Sequence, residues 1–196
     1  MEPLDLVDTE KETAPNDRKL NATVAITVAL LATFMGICKV KDDNINQSMQ
    51  QAQANRVDHW AYYQARNVRE EVARATAVQL KLAAVGRPAA EQAGYQDAIK
   101  QYEALAQEQN RKKAEAKADA ENDQKAYDAA NFKDDQFDLS DALLAIAISL
   151  LAITALTQMW ALYFVSLIPT AFGLLMGLSG LAGWSLHPSA LIALLS

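Results

Sequence analysis

The stretch Leu20–Cys38, LNATVAITVALLATFMGIC, decides the fold: nineteen successive residues carry no charge, and Arg18–Lys19 and Lys39–Val40–Lys41 bound them. At about 1.5 Å per helical residue this run nearly spans a bilayer core of roughly 30 Å, and the basic pairs are suited to anchor its two ends. The same segregation governs the whole chain. The 18 Lys and Arg and the 24 Asp and Glu all lie in residues 1–19 and 39–141, while 20–38 and 142–196 carry none. A globular domain spreads its charges, because each buried element still needs a polar face; here the chain sorts into water-facing and lipid-facing blocks.

Two further apolar blocks follow, Leu139 to about Thr157 and about Met159 to Gly183. Asp141 or Ser140 serves as N-cap of the first. Thr157–Gln158 before Trp160 reads as a tight interfacial turn, so 139–183 is expected to be a hairpin of two membrane helices with its turn near 157–160. Small residues recur at spacings of three and four in both outer spans: Ala22, Ala25, Ala29, Ala32 and Gly36 in the first, and Ser166, Thr170, Gly173, Gly177 and Gly180 in the third. Gly173 and Gly177 form a GxxxG pair. Such faces are expected to pack helix on helix. Pro169 removes a backbone donor, and a nearby hydroxyl is expected to bond the freed carbonyl. Residues 184–196, with Trp184 and His187–Pro188, read as a short interfacial segment.

Residues 39–138 form a polar insert with one strong break, Gly86-Arg87-Pro88, a hairpin turn at nearly equal distance from both membrane blocks. The arms are rich in Ala, Gln, Glu, Lys and Arg, all good helix formers. Val57, Ala61, Ala65, Val68, Val72, Ala75, Gln79 and Leu82 in the first arm follow a near-heptad spacing. So do Tyr95, Ile99, Tyr102, Ala106, Gln109, Lys113, Ala116, Ala120, Asp123, Tyr127 and Ala130 in the second. The pattern predicts an antiparallel coiled-coil hairpin whose facing residues sum to roughly 174, placing Tyr102 near Val72. Its small and polar core positions bury little apolar area, so further copies of the chain are expected to cover it.

The fold class is therefore all-α, with three transmembrane helices and a long helical hairpin between the first and second. Net charge of −6 argues against a nucleic-acid partner. A single cysteine, Cys38, and two histidines, His59 and His187, argue against disulfide, zinc or histidine-based catalytic centres. No metal, cofactor or catalytic residue is expected, and the chain reads as no enzyme. The acidic N-terminal tail, residues 1–19, reads as uncleaved. Two candidate sites stand out. His59, Trp60, Tyr62 and Tyr63, set opposite Arg111, Lys112 and Lys113, form a docking patch for an unidentified protein partner. Asp42, Asp43, Asp134, Asp135 and Asp138 meet at the hairpin base as a cation-attracting cluster.

The stretches NDRKLNATVAITVALLATFMGICKVKDDNINQSMQQAQANRVDHWAYYQARNVREE (Asn16–Glu71) and FGLLMGLSGLAGWSLHP (Phe172–Pro188) resemble a bacterial domain-of-unknown-function family, numbered four-three-three-seven. That resemblance implies a bacterial inner-membrane protein and carries no activity. Juxtamembrane basic residues, five in the insert against three in the tail, favour a cytoplasmic hairpin and C-terminus with a periplasmic N-terminal tail. The expected function is a homo-oligomeric scaffold in the lipid bilayer presenting coiled-coil arms, the alternative a homo-oligomeric ion channel with an acidic mouth.

Overall fold

The computed structural model describes residues 15–186; the acidic tail before Pro15 and the segment from His187 onward, with its expected interfacial role, lie outside them. Three helices make up the described residues: α1 (Pro15–Ala84), α2 (Ala89–Thr157) and α3 (Trp160–Ala182). Each is long and apolar enough somewhere along its length to cross a membrane. The boundaries read at 38/39 and 138/139 are changes of composition only. α1 and α2 run through them without a break, for 70 and 69 residues, since neither boundary carries glycine or proline to stop a helix.

The breaks fall where backbone chemistry demands them. Gly86 adopts φ 78°, a left-handed conformation, between α1 and α2, and the Glu91 amide then donates to the Pro88 carbonyl at 2.9 Å to start α2. Gln158 adopts φ 57° between α2 and α3, which costs a non-glycine residue energy. Its side-chain amide donates to Asn21 Oδ1 at 3.0 Å and to the Ala155 carbonyl, tying the turn to α1. α3 ends at Gly183, φ 72°, with the Trp184 amide bonded to the Ser179 carbonyl.

The residues divide into two compact units, one formed by the chain up to residue 44 and from 132 onward, the other by 45–131. In the first, Leu20, Val24 and Leu31 of α1 meet Leu144, Ala147 and Leu151 of α2, with Phe34, Trp160, Tyr163 and Leu174 packed around them. The third helix presents Ser166, Thr170, Gly173, Met176, Gly177, Ser179 and Gly180 inward. Its glycines admit neighbouring side chains to the backbone. A Cβ on Gly173 would stand 2.8 Å from Leu144, one on Gly177 2.6 Å from the Phe34 ring and 2.7 Å from Ser140 Oγ, and one on Gly180 2.8 Å from the Phe137 ring. This face is used within one chain. Ala22, Ala25, Ala29, Ala32 and Gly36 are by contrast all exposed, because the larger Leu20, Val24 and Leu31 take the inward face of α1. Around Pro169 the hydroxyls of Ser166 and Thr170 donate to the Tyr163 and Ser166 carbonyls. Neither bonds the Val165 carbonyl that the proline leaves without its usual donor, so that expectation is corrected.

In the second unit the seam lies elsewhere than expected. Every first-arm seam residue from Val57 to Leu82 is exposed; the buried residues of α1 in this unit are Ile45, Met49, Ala52, Glu70, Ala73 and Ala77, and those of α2 are Ile99, Ala106, Gln109, Ala116 and Ala120. Cross-helix bonds join Arg66 to Gln109, Glu70 to Asn110, Asn67 to Lys113 and His59 to Asp123. Their residue numbers sum to about 180 rather than 174, the register of two helices running in opposite directions. Val72 and Tyr102, expected to be neighbours across the seam, are both exposed. Alanine explains the choice of face, since it lets helix axes approach where β-branched valine would hold them apart, and only this face gives Glu70 its polar partners.

Packing at Gly177 generates a direct test. Gly177→Ala should destabilise the protein by about 1–3 kcal/mol through overpacking against Phe34 and Ser140. Gly36→Ala, with nothing within 4 Å of the added Cβ, should be neutral or slightly stabilising. Thermal unfolding of the detergent-solubilised variants measures both.

Candidate functional site

Polar chemistry concentrates in three places. Midway along the 45–131 unit, Glu70 is only 2% exposed and gathers charged and amide partners from both helices. Arg74 of its own helix donates Nε and Nη2 to Oε1 at 2.9 and 2.7 Å. Asn110 of α2 donates to the same oxygen at 2.9 Å, and the Lys113 ammonium lies 2.6 Å from Oε2. Bonds from Lys113, Asn110 and Arg74 hold the Glu70 carboxyl at about 2, well below its usual range. Arg66 extends the cluster, donating to Gln109 Oε1 at 2.9 Å. The spacing of Glu70 and Lys113, forty-three residues apart, hides this network from any local motif.

The aromatic patch sits further along the same unit. Trp60 and Tyr63 make an edge contact, with ring centroids 5.4 Å apart, and His59 Nδ1 pairs with Asp123 Oδ2 at 2.7 Å. Arg56 reaches Gln124. The residues opposite His59 are thus Asp123 and Gln124, and the expected placement against Arg111–Lys113 is corrected: Lys113 meets Asn67 and Glu70, while Arg111 and Lys112 pair with Glu115 and Glu108 of their own helix. The cation over an aromatic ring is Arg66, 4.3 Å from the Tyr62 centroid on its own helix. A shallow groove lined by Arg56, Val57, Trp60, Ala61, Ala120 and Gln124 runs beside the patch.

The third place is the acidic cluster of the first unit. Asp42 is 3% exposed and accepts a bond from Lys39 Nζ at 2.8 Å, with Asp43 3.6 Å from the same ammonium. Burial, then a hydrogen bond shared with Asp42, then the charges of Asp138, Asp42 and Asp135 push the Asp134 carboxyl up to about 7. Burial and the Asp42 charge raise Asp138 as well. Asp134 therefore takes up a proton more readily than an ordinary aspartate does. Among the described residues no three of His, Cys, Asp and Glu converge as ligands for a metal ion, and Asp42 is engaged by Lys39 and Asp134. Beside this cluster Gln136, fully buried, donates to Ser179 Oγ, the Trp184 carbonyl and the Leu186 carbonyl at 3.1, 2.9 and 2.6 Å. It fastens α2 to the end of α3. Sequence reading missed it; the signal was an amide residue directly before Phe137 at the edge of an apolar block. Ser140 Oγ donating to the Gly173 carbonyl at 2.8 Å strengthens the same junction.

These features define an all-helical protein with three helices of membrane-crossing length and two of them continuing into a charged pair. The chain belongs to the family described as Domain of unknown function (DUF4337), whose model matches residues 20–183. No curated protein and no solved structure matches it.

Two pH dependences follow, of opposite sign. Glu70 is depressed, so its stabilisation is complete above its ordinary value near 4.5 and is lost as pH falls through about 2. Glu70→Ala should cost about 1–3 kcal/mol at neutral pH by stranding Lys113 and Arg74, read as faster amide exchange in 60–80 and 100–120. Asp134 is raised, so its contribution is complete below its ordinary value near 3.8 and is lost as pH rises through about 7. Melting temperature should fall between pH 5 and 8 in the native chain and fall less in Asp134→Asn.

Proposed function

We propose that this protein is a homo-oligomeric structural scaffold of the bacterial inner membrane, in which three helices per chain anchor a stiff antiparallel coiled-coil arm that presents a protein-binding surface. One observation carries the reading: α1 and α2 continue unbroken from apolar, membrane-length segments into residues 45–131, where polar bonds between the helices join them. Both helices of the charged pair are thus covalently continuous with segments of membrane-crossing length. The excess of juxtamembrane lysine and arginine in the insert supports a cytoplasmic arm and a periplasmic N-terminus.

The channel reading has less to draw on. Its pore-lining candidates on α3 are spent on Phe34, Leu144 and Phe137 of the same chain, and its acidic mouth is partly offset by Lys39 and by the raised Asp134 carboxyl.

Reconstitution of the full chain into lipid vesicles tests the choice. The scaffold predicts no ion flux above protein-free vesicles, together with more than one subunit per particle by single-molecule photobleaching. Flux that is altered by Asp42→Asn and Asp43→Asn would replace it with the channel.

A further inference from the structure

The expected first-arm seam is the strongest unassigned feature of the molecule. From Ala61 to Leu82 its members recur at spacings of four and three, and all are exposed. Val68 is 60%, Val72 59% and Leu82 69% exposed. The bias between the helices is strong: in 45–131, α1 also exposes Val57 and Val78, whereas α2 exposes only Tyr102 and Leu105 among its large apolar residues. Val57 to Leu82 covers about 38 Å of helix, and its exposed side chains form an apolar strip on the order of 500 Å², the scale at which such patches mark interaction surfaces. A sustained heptad is the pattern of a second helix seam, and α2 does not occupy it.

We infer that this face of α1 is a self-association surface that meets the same face of a second copy of the chain, in parallel and in register. The inference rests on the scaffold reading for its membrane anchor and adds to it the surface and geometry of assembly. Every copy inserted in one membrane has one topology, so α1 runs the same way in each, and neighbouring copies meet in parallel. In-register pairing puts Ala65, Val72 and Gln79 at a positions and Ala61, Val68, Ala75 and Leu82 at d positions. β-Branched valine at a favours two strands, and a single polar a residue such as Gln79 fixes register because its amide both donates and accepts. Arg69 falls at e and Glu71 at g, both exposed. In-register parallel pairing sets Arg69 against Gln64 of the second copy and Glu71 against its Thr76, so no like charges meet along the seam. The intrachain seam, built from Ala73, Ala77 and Glu70, lies on the opposite side of α1, so both contacts can form together.

Cysteine scanning of the full chain in native-composition lipid vesicles tests this. Cys38 is the only cysteine in the sequence, so a Cys38→Ala background leaves a single introduced thiol. Under mild oxidation Val68→Cys and Val72→Cys should each give disulfide-linked dimers in more than half of the chains, at least tenfold above Leu105→Cys. Adding Val72→Lys to Val68→Cys should cut that yield more than tenfold with helicity unchanged by circular dichroism. Crosslinking that requires Val68→Cys on one chain and Leu82→Cys on another would overturn the register. Particles with several subunits but silent cysteines at 68 and 72 would overturn the surface and leave the scaffold reading standing. Single-subunit particles of the unmodified chain would overturn both.

Discussion

The membrane-length part of the molecule depends on close approach at three glycines of α3. Within lipid there is no hydrophobic gain from bringing helices together, so association relies on van der Waals contact and on hydrogen bonds between helices. Gly173, Gly177 and Gly180 supply the contact by giving up the volume of a Cβ to Leu144, Phe34 and Phe137, which come from both other helices. Ser140 and Gln136 supply the bonds, each reaching a backbone carbonyl of the third helix or its terminus. One stripe thereby collects α1 and α2, and the turn at Gln158 adds a further tie to Asn21.

The charged unit uses a different balance. Its buried seam is mostly alanine, with Ile45, Met49 and Ile99 as its larger apolar members and Glu70 and Gln109 among them, so little apolar area is removed from water and the specificity of pairing comes from bonds between named polar groups. A buried carboxylate with ammonium, guanidinium and amide partners fixes register more than it adds stability, because desolvation offsets much of the attraction. Glu70 has that function here: sliding the helices by one turn would separate it from Asn110 and Lys113 together.

How far the sequence was legible follows from the range of the interactions involved. The lipid-length blocks, the turns at Gly86–Pro88 and near Gln158, and the inward stripe of α3 are local patterns of composition and spacing, and each is read directly. The second-arm face was also legible, with Ile99, Ala106, Gln109, Ala116 and Ala120 buried. The first arm was misread because the heptad rule scores apolarity, and α1 carries two faces: a valine-rich one that fits the rule and an alanine–glutamate one that fits the partner helix. Which of the two meets α2 depends on residues forty positions away. The same shift displaced the neighbours expected for His59 and Trp60. At the acidic base, the clustering of aspartates was visible, but the raised Asp134 carboxyl and the clasp of Gln136 follow from burial, which charge patterning cannot report.

The length of α3 has a physical consequence of its own. Trp160 opens α3 and Trp184 follows its Gly183 cap, and the 23 residues of the helix run for about 34 Å, slightly more than the hydrocarbon thickness of an average bilayer. Indole rings prefer the headgroup boundary, so the pair acts as a ruler. Were α3 to cross a bilayer thinner than itself, it would have to lean to keep both rings at the two boundaries.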